Sequence, residues 1–262
     1  MKLRIDQFGV NDKILGRYAG PIHLTNDKPV LRFEGEDRDL GLSLWIGDTQ
    51  AGHIWHTGDP TSLYYYQLSS GESSLLPPEL VEWEKLVQNR LPEELPLEKL
   101  LEPFKPLLPT GEYWLVYSYP DKLNGDFSDW EPAHFMVLPE SEQFWDTTDP
   151  PTAYFEYPNY FETQNAASLY PSRIEHYQES IRNGMSPVII CYSRFVPEYY
   201  IGPEEMIPVD EIMDESNPYF ILDGHHKARA YEALNRGARK EQAPIRWKPG
   251  ILHIAKVEKM KS

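Results

Sequence analysis

The chain has 262 residues, 40% of them hydrophobic and 13% aromatic, and a formal net charge of −16 at pH 7. That length suits one large domain or two ordinary ones, and no run approaches the roughly 20 consecutive apolar residues of a bilayer-spanning helix. So negative a field repels phosphate backbones, which argues against nucleic acid as a partner, and the sequence gives no reason to expect a membrane one.

The charge is unevenly spread. Residues 1–158 carry 12 Lys+Arg against 27 Asp+Glu, a net of −15, while residues 226–262 carry 10 against 3, a net of +7. Met1–Val10 lacks the apolar stretch of a signal peptide. Cys191 is the single cysteine, so no internal disulfide forms; a reducing, cytoplasmic setting is the expectation.

Residues 1–75 read as β-structure. Lys28–Phe33, Leu40–Ile46 and Ser62–Leu68 alternate with period two between Gly and Asp punctuation. Leu80, Trp83, Leu86 and Val87 then recur at helical spacing, until Pro92, Pro96, Pro103 and Pro106 break the stretch into short pieces. Gly111–Tyr119 and His134–Leu138 predict paired strands joined through Asn124-Gly125. An antiparallel sandwich or barrel is the simplest arrangement for this half. Residues 139–160, rich in Pro, acidic and aromatic residues, suggest a linker or docking segment.

The second half has a different rhythm. Ser172 and Glu175 have the spacing of a capping box. Ile174, Tyr177 and Ile181 share one helical face, and Gly184 suits the helix end. Pro187–Tyr192 predicts a buried strand. After the acidic stretch 197–218, Tyr219–Leu222 predicts another strand, and Asp223-Gly224 turns into a helix from His225 to about Arg236, stopped by Gly237. A last strand or two is expected within Ile245–Ile254.

The Asp223-Gly224-His225-His226-Lys227 turn carries the chemistry. Free N–H groups at a helix start, reached through glycine and ringed by cations, favour an anion. Asp223 equally suits a helix cap. Arg229 lies four residues beyond His225 on the same face, able to reach a phosphate or to pair with a carboxylate such as Glu232. Three other clusters are weaker. Glu204, Glu205, Asp210, Glu211, Asp214 and Glu215 fit no calcium-loop spacing and read as an exposed loop. His53 and His56 fall on opposite faces of a strand, which does not suit a shared metal. Tyr64-Tyr65-Tyr66 is half core and half surface.

From Arg173 to Ile190 the order helix, glycine, Pro-Val-Ile strand, followed by the Asp223–Lys227 turn, resembles the ParB/sulfiredoxin-like fold over roughly 90 residues. Sulfiredoxins place a nucleophilic cysteine before the His-Arg pair, where this chain has His225, and Cys191 instead lies on the expected core strand. The chain runs only about 25 residues past the motif helix, short of the helix-turn-helix of chromosome-partition proteins. The motif spelling is most similar to the ParB-like kinases of free serine. That likeness implies ATP or ADP with Mg²⁺ and a small hydroxyl acceptor. It also implies Asp223 near the metal or acceptor, and His225 and His226 near the phosphates. Lys227 stands where the family has arginine and lacks its two-pronged grip. Glu175 and Glu179 are the candidates for an acidic base.

The expected fold class is α+β: an antiparallel β-sandwich or barrel-like domain over 1–140, a connection over 141–160, and a ParB/sulfiredoxin-like α+β domain over 161–262. One functional reading is a nucleotide- or phosphate-binding protein, a Mg²⁺-dependent phosphotransferase or nucleotide hydrolase. Its candidate catalytic residues are Asp223, His226 and Glu175, with Gly224, His225, His226, Lys227 and Arg229 binding the cofactor and Asp223 the metal. The other is a non-catalytic, immunity-type binding protein whose acidic half engages a basic protein.

Overall fold

The alternation of the first half and the apolar runs of the second both emerge as strands. A computed structural model describes residues 4–10, 13–35, 41–56, 63–68, 85–118, 135–136, 145–146, 152–156, 160–161, 163–164, 169–195, 219–236 and 247–258. The first strands are β1 (Arg4–Val10), β2 (Lys13–Leu24), β3 (Leu31–Glu34), β4 (Leu42–Ile46), β5 (Thr49–His56) and β6 (Leu63–Leu68). A short helix α1 (Glu98–Leu101) leads to β7 (Gly111–Ser118). Then come β8 (Phe135–Met136), β9 (Trp145–Asp146), β10 (Thr152–Glu156) and β11 (Tyr160–Phe161). Helix α2 (Pro171–Arg182), β12 (Val188–Phe195), β13 (Tyr219–Asp223), helix α3 (His225–Arg236) and β14 (Gly250–Val257) complete the described order.

Two sheets hold these strands: an eight-stranded one ordered β1-β2-β7-β14-β12-β13-β11-β8, and a six-stranded one ordered β3-β4-β5-β6-β10-β9. The smaller sheet is antiparallel throughout. The larger is mixed, with β12 parallel to β14 and β11 parallel to both β13 and β8. Neither sheet closes into a barrel among the described residues. No described helix is long and apolar enough to cross a membrane.

Period-two alternation sends the central side chains to two different cores. Leu115 and Tyr117 of β7, Ile190 and Tyr192 of β12, and Leu252 and Ile254 of β14 meet Leu31, Leu44 and Ala51 of the smaller sheet. Leu91, Leu100, Leu101 and Phe104, from the proline-broken segment, fill the same space. On the opposite face Ile189, Cys191, Ile221 and Ile251 pack against Tyr177 and Ile181 of α2 and Ala228 and Tyr231 of α3. The architecture is therefore α+β, with a helix pair and a second sheet on opposite faces of one mixed sheet. β12 is covered on both faces, which is why Val188-Ile189-Ile190-Cys191 reads as an unbroken apolar run.

Three expectations change. His134–Leu138 does not pair with Gly111–Tyr119: β7 has both edges filled, by β2 and β14, and β8 pairs with β11 instead. The interval 139–160 contains β9 and β10, with β10 hydrogen-bonded to β6. The larger sheet also runs through the expected division, because β14 lies between β7 of the first half and β12 of the second. The Asn124-Gly125 loop, Leu80, Trp83 and the acidic stretch 204–215 lie outside the described residues.

Arg17 of β2 ties the proline-broken segment down. Its guanidinium donates to the carbonyls of Glu93, Leu95 (2.8 Å) and Pro92 (3.1 Å), and only 6% of the residue is exposed. Three carbonyls that the prolines prevent from joining a helix thereby gain a donor. Replacing Arg17 by Met is expected to lower stability by about 3 kcal/mol, since these are buried bonds from a charged donor. Urea unfolding of the full chain measures it, and a loss well below that would show that the loop holds itself.

Candidate functional site

The Asp223–Lys227 turn lies where β13 ends and α3 begins. Gly224 has φ +106°, a conformation open to glycine and rarely to other residues. A Cβ there would stand 3.2 Å from the Ile189 Cα, so the turn also presses closely on β12. The Ala228 N–H donates to the Gly224 carbonyl at 2.7 Å, the first bond of the helix. The N–H groups of residues 225–227 thus precede the intrahelical ladder, as at any helix start.

Beside α3 runs α2, and its ends are set differently from the capping-box expectation. Pro171 takes the first helical position, Tyr170 is the N-cap with extended backbone, and no side chain caps it. Proline's fixed φ and missing N–H suit that position, which leaves Ser172 and Glu175 two positions too far into the helix to form the box. The other end matches the sequence. Gly184, at φ +89°, donates to the Ile181 carbonyl and Met185 to that of Ser180, both at 3.0 Å, a Schellman closure.

Lys227 turns inward. Its ammonium lies 2.7 Å from the Asp223 Oδ2 and donates to the Val188 carbonyl at 3.0 Å, with the Tyr177 ring centroid 5.9 Å away. Only 3% of the residue is exposed. One carboxylate, one carbonyl and an aromatic face thus satisfy a cation inside the fold. Burial of the lysine stem joins α3 to β12 and α2 at once.

Both histidines accept hydrogen bonds. The Thr163 N–H donates to His225 Nε2 at 3.0 Å, while the Thr163 hydroxyl donates to the Ile221 carbonyl at 2.7 Å. The Tyr170 N–H donates to His226 Nε2 at 3.1 Å, and the Tyr170 ring lies parallel to the imidazole with centroids 6.2 Å apart. A nitrogen that accepts a backbone N–H carries no proton, so both imidazoles are neutral with the proton on Nδ1. Burial lowers the His225 pKa to about 3, with the cations of Arg229 and Lys227 adding to it and Asp223 opposing. Burial first, then nearby Arg173, lowers that of His226 to about 4.

The turn therefore gathers Asp223, Gly224, His225, His226 and Lys227, with Arg229 also buried one turn on. It does not gather the acidic residues of α2. Glu175 and Glu179 are exposed, about 160° around the helix from Tyr177, whose side faces Lys227. Mg²⁺ does not fit this set of donors. The Asp223 Oδ2 is paired to an ammonium, and no group of three or more His, Cys, Asp or Glu residues with metal-binding geometry occurs among the described residues.

Sequence reading did not find Thr163, Tyr170, Tyr177 or the Val188 carbonyl as partners of the turn. Each lies tens of residues away, and no local pattern marks it. Elsewhere, Cys191 is fully buried and burial pushes its thiol well up, as befits a core residue. His53 pairs across strands with Ser43, whose Oγ is 2.7 Å from Nδ1. Comparison with known protein families, with curated proteins and with solved structures finds no match to the chain.

Two outcomes are expected. Asp223→Ala leaves a buried ammonium without its counter-ion and should cost about 3–5 kcal/mol, whereas Asp223→Leu with Lys227→Met should recover most of it. Equilibrium unfolding of the single and double variants decides; a neutral single variant would show that water reaches Lys227. The second concerns pH. His225, His226 and buried His253 have pKa values lowered from 6.5 to about 3, 4 and 3. The unfolded chain binds these protons more readily, so the stability they contribute is complete above pH 6.5 and declines as pH falls toward 3. The denaturant midpoint should fall from pH 7 to pH 4, and less steeply in His225→Gln; equal slopes would contradict the assignment.

Proposed function

We propose that this protein works by binding rather than by phosphoryl transfer, its acidic surface engaging a basic protein in the manner of an immunity or inhibitor protein. The observation that carries this reading is the buried Asp223–Lys227 pair, with 2.7 Å between its charges. Phosphoryl transfer needs a cation aimed at the transferring group and a carboxylate for metal or acceptor. Here the two neutralise each other inside the fold, and both histidines are occupied as neutral acceptors. What the chain presents outward is negative charge, −16 overall and −15 within residues 1–158. Such a field steers a cationic partner and accelerates encounter.

A second reading retains a phosphate-bearing ligand, with ATP or ADP as the nucleotide. Its specific support is the start of α3, where a positive-φ glycine delivers N–H groups beside half-buried His226 and the 69% exposed Tyr170. Calorimetry with ATP, ADP and CTP, with and without Mg²⁺, on wild type and His226→Ala separates the two. The binding reading expects no nucleotide heat at millimolar concentration, together with salt-sensitive association with a lysine- and arginine-rich protein. Nucleotide binding that His226→Ala weakens would replace the first reading by the second.

A further inference from the structure

The start of α2 is held by a side chain of α3. Tyr170, the N-cap, has extended backbone, Pro171 follows with no N–H to offer, and no side chain caps the helix. The Tyr170 N–H goes instead to His226 Nε2 at 3.1 Å. The Tyr170 carbonyl accepts from Arg173 and Ile174 at 3.0 and 3.2 Å, so the residue that His226 holds also closes the first turn of α2. Its ring lies parallel to the imidazole, with 4° between the planes.

That hydrogen bond has a chemical weakness. A lone pair on Nε2 accepts it, and an imidazolium has no lone pair on either nitrogen. A proton on Nε2 sets two N–H donors against each other. The proton also has access from solvent, because His226 is half-buried and Tyr170 is 69% exposed.

The surroundings resist positive charge while the bond is made. His226 is the second residue of α3 and bonds the N-cap of α2, and both helix starts carry positive partial charge. Arg173 of α2 and Lys227 of α3 add full charges, Asp223 at the end of β13 opposes them, and His225 beside it is neutral. Lys227 and Asp223 largely cancel, being 2.7 Å apart, which leaves Arg173 and the two helix starts. Burial first, and then Arg173, hold the His226 pKa at about 4, against 6.5 for a free imidazole.

We infer that His226 and Tyr170 form an acid-sensitive latch between α3 and α2: a proton on His226 Nε2 breaks the bond and frees the start of α2, while the rest of both helices stays packed. What holds the remainder is apolar. Tyr177 and Ile181 of α2 meet Ala228 and Tyr231 of α3 in one buried cluster that acid does not charge. The latch stands apart from both functional readings, because neither ligand nor partner enters it. With the latch open the imidazole titrates near 6.5 and with it closed near 4, so opening takes up a proton and is favoured as pH falls. Between pH 7 and pH 5 the ratio of open to closed should rise about twentyfold.

Residue-resolved hydrogen exchange on the full chain, corrected for the pH dependence of free amides, reads this ratio at the Tyr170 N–H. Its protection should fall about twentyfold from pH 7 to pH 5, while the Gly184 and Met185 N–H groups at the far end of α2 keep theirs. His226→Gln supplies an uncharged acceptor and should keep Tyr170 equally protected at both pH values. His226→Ala should leave it unprotected at both. The latch is overturned by an equal fall in His226→Gln or by pH-independent protection in the unaltered chain. It is overturned as well if protection is lost along the whole of α2 together, which is global unfolding. Nitrogen NMR shifts of the His226 ring give a check that needs no variant: Nε2 must be unprotonated at pH 7 and gain its proton as Tyr170 protection is lost. A ring protonated on Nε2 at pH 7 would sink the assignment.

Discussion

Everything in this fold hangs on where the last described strand inserts. β14 pairs antiparallel with β7 along Ile251–Val257 and parallel with β12 along Gly250–Val257, so it joins two stretches of chain that are otherwise far apart in sequence. Both of its edges are hydrogen-bonded and both of its faces are buried, Leu252 and Ile254 toward the second sheet and Ile251 toward the helices. Parallel neighbours cannot be joined by a tight turn, and the route from β12 to β14 passes through β13 and α3. The turn at Asp223–Lys227 is therefore part of the crossover that makes the large sheet possible. Its first duty is architectural.

That duty explains why the most reactive-looking residues of the chain are internally satisfied. An aspartate and a lysine four apart at a helix start resemble a solvated surface pair in sequence. Here the N-terminus of α3 is pressed onto β12 at Ile189, and only 3% of the lysine is exposed. Its ammonium takes the Val188 carbonyl and the aspartate. The pair fixes the rotation of α3, since Lys227, Ala228 and Tyr231 must all face inward. His225 and His226 add tethers in two further directions, to Thr163 and to Tyr170. Neutral imidazoles suit this role because each must offer a lone pair to a backbone N–H, which a charged ring cannot do.

The elements were more legible than their partners. Val188–Cys191, Tyr219–Leu222 and the helix ended by Gly184 can be read from apolar runs and glycine placement, because those signals depend on neighbours in sequence. The proline-broken character of 92–106 was equally plain, though its consequence, three carbonyls gathered by Arg17, was not. Strand pairing is decided by which edges remain open after collapse, so the union of β7 with β14, 139 residues apart from Gly111 to Gly250, has no local trace. The same limit governed the site. Asp223, Gly224 and the histidines announced themselves by spacing, and the structure sets them at the start of one helix. Whether their polar atoms face a ligand or the interior depended on Thr163, Tyr177 and Val188, which spacing cannot supply. Ser172 and Glu175 show a different failure: a correct capping pattern was outcompeted by Pro171, whose ring is already preorganised for the first turn.

The distribution of charge then becomes a physical consequence of the packing. The buried cations are matched locally: Lys227 by Asp223 and a carbonyl, Arg17 by three carbonyls. The Asp223–Lys227 pair contributes little to the field outside, because its two charges cancel within a few ångströms, whereas Arg17, whose partners are neutral carbonyls, keeps its unit charge. Exposed Glu34, Glu93 and Glu102 are paired as well, to Arg32, Arg90 and Lys105, but acidic residues outnumber basic ones 41 to 25, so carboxylates remain in excess. The long-range field felt by an approaching molecule is therefore set by the excess of acidic over basic residues, a net of −16 over the whole chain. The Asp223–Lys227 turn, which by spacing resembles an anion site, neutralises its own charges inside the fold. That neutralisation follows from the recruitment of the Asp223–Lys227 turn to hold a crossover helix against a buried strand.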